Sequence, residues 1–171
     1  EKALALLLIR SREEVLRQMS ELIDLKEAWK VSNPAFAEKI VGVDTVGAEM
    51  EYLNWSHAPA LRLARAAGLH VTSHVGETWN RGELKRALNR MKREIRTGTV
   101  QRIGHGTAIA VIPEEMGGVY TAEEIREIKK LQVEVLNEAV RRGIFIENNL
   151  SSNVLLSPEI LSYGRHGAHF L

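Results

Sequence analysis

The chain has 171 residues, of which 44% are hydrophobic and 26% charged, and its formal net charge is +1. These values are typical of a soluble globular domain with a genuine core, and the small net charge gives no global attraction to nucleic acid or to an anionic membrane. The absence of cysteine excludes disulfides, thiolate zinc ligands and a cysteine nucleophile. The longest apolar run is too short to cross a bilayer, and no signal-peptide pattern precedes it. We therefore predict a cytoplasmic protein without a membrane partner.

The chain begins at Glu1 and enters an apolar run almost at once. Residues 3–9 read Ala-Leu-Ala-Leu-Leu-Leu-Ile, a pattern that suits a parallel strand buried on both faces. Such a strand needs neighbours on both sides. We therefore interpret residues 1–171 as one incomplete domain, an excerpt of a longer protein.

Predicted strands and helices alternate along the rest of the chain. Further strands are predicted over residues 39–43, 69–73, 100–103 and 144–146. Helices are predicted after an N-cap at Ser11, over residues 58–67 and 83–97, and from the N-cap Thr121 to about residue 142, with glycines ending the last three. Pro34 lies in a predicted connection. This alternation, without hairpin signals, predicts an α/β fold with a parallel sheet.

Polar residues follow strand after strand, at Asp44, His74, His105 and Asn148-Asn149. A (β/α)₈ barrel gathers all its strand carboxyl ends around one mouth, whereas an open doubly wound sheet gathers only those beside its switch point. No strand is followed by a glycine-rich dinucleotide fingerprint. We therefore predict a TIM barrel.

Two segments carry the chemistry. His74 is followed three residues later by Glu77, and His105 stands between two glycines. A histidine can hold a metal, and a nearby carboxyl group can move a proton. Each residue also has a plainer interpretation. His74 could be a hydrogen-bonded histidine at a strand end, and Glu77 a glutamate placed favourably at the amino end of a helix. His105 could be a lone structural histidine. Two histidine-bearing strand ends on neighbouring strands favour the functional interpretation.

Residues 81–102 form a strongly basic segment. A phosphate or nucleic-acid patch is one interpretation. The clean apolar stripe on the opposite side favours the other, the solvated outer face of an amphipathic crossover helix.

Four segments, taken in order, resemble the adenosine deaminase family of metal-dependent hydrolases. They are Val41-Gly-Val-Asp-Thr-Val-Gly-Ala-Glu49, His74-Val-Gly-Glu77, Arg102-Ile-Gly-His-Gly106 and Glu147-Asn-Asn-Leu-Ser-Ser-Asn153. The combination of His-x-Gly-Glu with Gly-His-Gly is specific, and the other two segments support it.

The resemblance implies a (β/α)₈ barrel that hydrolyses the 6-amino group of adenosine or a related adenine nucleoside or nucleotide and releases ammonia. It also implies that His74 binds a catalytic Zn²⁺ and that Glu77 protonates the purine ring nitrogen N1 as hydroxide adds to C6. By the same resemblance, His105 orients and polarises the zinc-bound water. Gly47 contacts the purine through its backbone, and Asp44 supports that loop.

The sequence departs from the family pattern in several places. The His-x-His pair of the first strand and the Asp-Asp pair of the last strand do not occur, so the chain corresponds to about strands three to seven of the eight. The segment 111–120 looks inserted. The prediction is therefore the centre of a zinc-dependent purine deaminase. The alternative is a catalytically inactive purine-binding or interaction module that lacks most metal ligands.

Overall fold

The computed structural model describes residues 3–8, 12–46, 58–77, 82–147 and 149, and for residues 3–8 and 12 it describes the backbone alone. The strands of this part are β1 Ala3–Leu8, β2 Ile40–Val46, β3 His70–Val75, β4 Arg102–His105 and β5 Phe145–Glu147. The helices are α1 Arg12–Ser32, α2 Pro34–Ala37, α3 Ala58–Ala66, α4 Leu84–Arg96 and α5 Ala122–Arg141. Two 3₁₀ turns, Thr107–Ile109 and Pro113–Glu115, lie between β4 and α5.

The strands form one parallel sheet whose order, β1-β2-β3-β4-β5, follows the chain. The predicted α/β fold with a parallel sheet is therefore confirmed. Because parallel crossovers are right-handed, a sheet that grows in one direction carries its helices on one face. Among these five strands the order never reverses, so they contain no switch point of the doubly wound kind.

The helical face of the sheet forms the core. Val43, Val71, Val75 and Ile103 are fully or almost fully buried, and the four longer helices contribute side chains to the same cluster. Those contributions include Val15 and Met19 from α1, Leu61 and Ala64 from α3, Leu84, Leu88, Met91 and Ile95 from α4, and Ile128 and Val135 from α5. Successive side chains of a strand point to opposite faces. His70, Thr72 and His74 therefore project from the other face of the sheet.

The helix boundaries agree with the capping signals in the sequence. Helices α3, α4 and α5 end just before the predicted stops Gly68, Gly98 and Gly143, all of which have positive φ. Thr121 caps α5 through a capping box with Glu124, which satisfies backbone donors at the helix start. The Ser11 cap lies outside the described residues.

The short helix α2 corrects the prediction of a plain connection around Pro34. The Asn33 side chain accepts a hydrogen bond from the backbone N–H of Phe36 at 3.3 Å, and Pro34 occupies the first helical turn. Asparagine at the N-cap and proline in the first turn both favour a helix start. The signal was present in the sequence but spans only four residues.

Four strands end later than predicted, including β4 at His105 and β5 at Glu147. β2 continues to Val46, where it still pairs with Leu8 of β1, and β3 continues to Val75, which pairs with His105 of β4. Asp44, His74 and His105 consequently lie within strands rather than just after them. Backbone pairing with neighbouring strands outweighs the turn preference of an Asp-x-x-Gly sequence.

The basic segment is only partly solvated. Lys85 and Lys92 of α4 form ion pairs with Glu127 and Glu134 of α5, as expected for an outer helix surface. Arg90, in contrast, is only 2% exposed, so the prediction of a solvated face is wrong for this residue. Within the described ranges, no helix is long and apolar enough to span a membrane.

The segment predicted as an insertion packs onto the core. Met116 and Tyr120 are buried, and the side-chain amide of Gln132 in α5 donates hydrogen bonds to the carbonyl oxygens of Ala108 and Val111 at 3.0 and 2.7 Å. These contacts fix the chain beyond β4 against α5, at the same end of the sheet as His105.

Candidate active site

The structure brings together four of the five predicted site residues. Asp44 lies on β2, His74 on β3 and His105 at the end of β4, while Glu77 lies in the turn that follows β3. Because parallel strands end at the same edge of a sheet, these side chains share its carboxyl edge. The fifth residue, Gly47, lies outside the described residues, as does most of the segment 147–153.

His74 is oriented by Asp44. Nδ1 of His74 lies 2.8 Å from Oδ1 of Asp44, and Asp44 is 5% exposed. An ionised carboxylate can only accept, so Nδ1 carries the proton, and Nε2 of the neutral ring holds the lone pair. The hydrogen bond to Asp44 raises the pKa of the His74 imidazole above its ordinary value, against the opposing effect of burial. Sequence reasoning missed this pair and connected Asp44 only with the loop after β2.

The contact with Asp44 leaves the other ring nitrogen of His74 available. Among the residues that the structure describes, Nε2 of His74 has no hydrogen-bond partner. A histidine held by a carboxylate at one nitrogen, with a lone pair at the other, is the usual arrangement of a metal-binding histidine.

Gly104 provides the space that the His74 ring occupies. The two residues are register partners on β3 and β4. A Cβ atom at position 104 would lie 2.8 to 2.9 Å from three atoms of the imidazole, closer than carbon and ring atoms approach without displacement. The ring therefore lies directly over the β4 backbone, and any side chain at 104 would displace it.

Replacing Gly104 with alanine is expected to displace the His74 ring from Asp44. Overpacking of this kind costs about 1–3 kcal/mol of stability. Loss of an orienting contact to a metal ligand lowers metal affinity by about 10–100-fold. The measurements are the unfolding midpoint and the zinc dissociation constant of the full-length protein.

Gly117→Ala is the matched control for this prediction. Gly117 has φ +65°, and a Cβ atom added there would meet no other atom within 4 Å, so alanine adds backbone strain without touching the site. We expect Gly117→Ala to lower stability and to leave zinc affinity intact. Equal zinc affinities for Gly104→Ala and the unchanged protein would show that the ring does not depend on this glycine.

His105 and Glu77 form the second half of the cluster. Nε2 of His105 lies 3.2 Å from Oε1 of Glu77, within ion-pair distance, and their side chains are 7% and 16% exposed. The rings of His105 and His74 are 5.1 Å apart between centroids and inclined at 63°. Two imidazoles and two carboxyl groups thus occupy one small region, with one histidine beside each carboxyl group.

His105 adopts a left-handed backbone conformation. Its φ is +66°, and it is the one non-glycine residue with positive φ in the described part of the chain. This conformation costs an L-residue about 1–2 kcal/mol. Strain of this kind persists where the surrounding structure imposes it and is concentrated at functional sites.

The strain gives a test that does not depend on activity. We expect His105→Gly to be more stable than His105→Ala by about 1 kcal/mol, because glycine alone adopts positive φ without a penalty. At Arg102, an exposed and extended position of the same strand, the order of the glycine and alanine variants should reverse. Chemical denaturation of the four variants measures both differences. A more stable alanine variant at 105 would contradict the strained backbone.

The described residues do not by themselves form a metal site. They contain no group of three or more His, Asp or Glu side chains arranged to hold a metal ion. His74, with Nδ1 held by Asp44, has the orientation and the lone pair of a ligand. Its donor chemistry fits zinc, and a zinc site here would need further ligands from outside the described ranges.

A cavity of about 470 Å³ lies on the sheet face that bears Asp44. Thr72, Arg102, Phe145 and Glu147 also line it, and its volume is in the range of small-molecule pockets. The cavity adjoins the histidine cluster at Asp44. From there it extends away from the cluster, toward the amino ends of the strands.

Comparisons with known proteins agree with the motifs. No protein-family model matches the chain. A curated protein of Clostridium kluyveri named adenosine deaminase is 31% identical over 102 residues, which cover 60% of this chain and 26% of that protein. An adenosine deaminase of Pectobacterium atrosepticum is 27% identical over 120 residues, which cover 70% of this chain and 28% of that protein.

The chain spans about a quarter of the length of the curated relatives that it matches. Both bear the name of the family that the four sequence segments resemble. The similarity therefore suggests an adenosine deaminase-like hydrolase, over a part of the fold only.

Proposed function

We propose that the chain is the central part of a zinc-dependent adenosine deaminase-like enzyme. The observation that carries the proposal is the cluster of His74, Glu77, His105 and Asp44 at the carboxyl edge of three neighbouring parallel strands. The similarity to two proteins named adenosine deaminase supports it. The reaction is hydrolytic: water replaces the 6-amino group of an adenine nucleoside or nucleotide, which leaves as ammonia.

The proposed architecture is a (β/α)₈ barrel of which β1 to β5 are about the third to seventh strands. Two observations support it. The strands pair in chain order with helices on one face, and Phe145 on β5 is 72% exposed. In a closed barrel, side chains from the remaining strands would cover the concave face of the sheet.

In the proposed site His74 is one zinc ligand and Asp44 orients it. Zinc, when bound, supplies a water whose pKa is about 7 and which is therefore an effective nucleophile at neutral pH. The carboxylate of Asp44 keeps the proton on Nδ1 and directs the basic nitrogen of His74 to the metal.

Glu77 and His105 act on the substrate and on the attacking water. Glu77 in its acid form donates a proton to ring nitrogen N1 as water adds to C6, which neutralises the charge that builds on the ring. His105, held beside Glu77, orients the water and polarises it. The two protons of the attacking water balance the reaction: one reaches the amino group, which leaves as ammonia, and the other restores the acid form of Glu77. By the resemblance to the family, Gly47 would contact the purine through its backbone.

The alternative is a purine-binding or interaction module without catalysis. One observation favours it: the described residues contain no group of three or more His, Asp or Glu side chains that could hold a metal ion. The two hypotheses differ in their requirement for zinc, because purine binding alone does not need a Lewis acid.

Ammonia release and metal content, measured on the same full-length sample, test the proposal. The substrates are adenosine, 2′-deoxyadenosine, AMP and a methylated adenine nucleoside. We expect zinc at about one ion per chain and stoichiometric ammonia from at least one of these compounds. Tight binding of a purine nucleoside with neither zinc nor ammonia would favour the inactive module.

A further inference from the structure

The turn that carries Glu77 is pressed against the helical layer. Gly76 has φ +76°, and a Cβ atom there would lie 2.3 Å from Sδ of Met91 in α4. The backbone of this turn therefore approaches α4 as closely as a glycine permits. Its other side faces the chain that leaves β4.

Hydrogen bonds join the end of β3 and the turn after it to the residues after His105. The backbone N–H of Gly106 donates to the carbonyl oxygen of Val75 at 3.2 Å, and that of Ala108 donates to the carbonyl oxygen of Gly76 at 2.9 Å. The hydroxyl of Thr107 donates to the same Gly76 oxygen at 2.7 Å and lies 3.4 Å from the carbonyl oxygen of Glu77. Thr107 is 2% exposed.

We propose that Thr107 is a positioning residue for Glu77, an inference that rests on the proposed function. Its hydroxyl donates to the carbonyl oxygen of Gly76 and lies near that of Glu77, and these two carbonyl groups flank the Cα atom of Glu77. Its backbone lies two residues after His105. The hydroxyl therefore fixes the proton donor relative to the histidine beside which it acts.

Because the Thr107 hydroxyl is buried, water cannot replace its hydrogen bond. Removal of the donor therefore deprives the carbonyl oxygen of Gly76 of its shortest hydrogen bond among the described residues. Valine has nearly the shape of threonine without the donor, whereas serine keeps the donor and loses one methyl group. The two substitutions therefore separate the hydrogen bond from the packing.

The experiment compares Thr107→Val and Thr107→Ser in the full-length protein, with ammonia release from adenosine as the assay. Small displacements of a catalytic group have large effects on rate, so we expect Thr107→Val to lower kcat by about tenfold or more and to change KM by less than about twofold. Thr107→Ser should retain a kcat within about threefold of the unchanged protein.

Thr99→Val is the matched control. Thr99 is also buried, hydrogen-bonds to Thr97 and precedes β4 at the opposite end of the strand. It should lose stability without loss of kcat. Equal losses of kcat in Thr99→Val and Thr107→Val would indicate a general structural effect and would overturn the proposal.

A double-mutant cycle with Glu77→Gln identifies the group through which Thr107 acts. If Thr107 acts through Glu77, the loss of kcat caused by Thr107→Val should shrink to less than about threefold in the Glu77→Gln background. Losses that multiply would overturn the positioning role while leaving the proposed function intact. A Glu77→Gln protein with unchanged kcat would instead contradict the proposed function.

Discussion

Replacing Glu77 with glutamine should lower kcat for ammonia release by about 10²–10⁴-fold, the usual contribution of a general acid. Glutamine is close in size to glutamate but has no carboxyl proton to donate. In the proposed mechanism Glu77 does not bind the metal, so the zinc content of the purified protein should stay nearly unchanged.

The control for this prediction is Glu127→Gln. Glu127 forms an ion pair with Lys85 on the outer surface, and exposed pairs contribute little to stability. Its glutamine variant should have the activity of the unchanged protein. A Glu77→Gln protein that loses its zinc yet keeps its activity would contradict the role assigned to this carboxyl group.

The second large effect is expected at His74. Replacing it with alanine removes one zinc ligand and leaves the buried Asp44 carboxylate without the imidazole that it now contacts. We expect the purified variant to contain far less zinc than the unchanged protein and to lose ammonia release. Metal analysis after dialysis against a weak chelator provides the measurement.

Two further variants make the result at His74 specific. His70→Ala removes another histidine of the same strand, whose side chain contacts Gln101. The protein with this substitution should keep its zinc. Asp44→Asn should weaken zinc binding by about 10–100-fold, as expected for the partner of a ligand histidine. An unchanged metal stoichiometry in His74→Ala would remove this residue from the set of ligands.

The order of the strands and helices could be predicted from local patterns. The apolar runs, the glycines after α3, α4 and α5, and the N-cap at Thr121 are signals that act over a few residues. Each therefore retains its meaning in the folded chain. The strand limits near Asp44 and His74 were less predictable, because pairing with neighbouring strands extends β2 and β3 through these polar residues to Val46 and Val75.

The contacts within the site depend on the register between neighbouring strands, which could not be predicted from the sequence. Asp44 meets His74, and the hydroxyl of Thr107 meets Gly76, across separate strand–helix units. The proximity of His74 and His105 could be expected once both were assigned to the carboxyl ends of neighbouring parallel strands. The space for the His74 ring over Gly104 could not, because it depends on which residue of β4 lies beside it.

The chain-ordered sheet has a consequence for biogenesis. Within the described residues, each strand pairs with the strand that immediately precedes or follows it in the sequence, so the pairing of these five strands does not wait for a remote segment to be synthesised. Nascent strand–helix units can dock one after another as they leave the ribosome, since domains form progressively during translation and nearby contacts close fastest. The candidate site residues on β2, β3 and β4 would then come into proximity in the order of their synthesis.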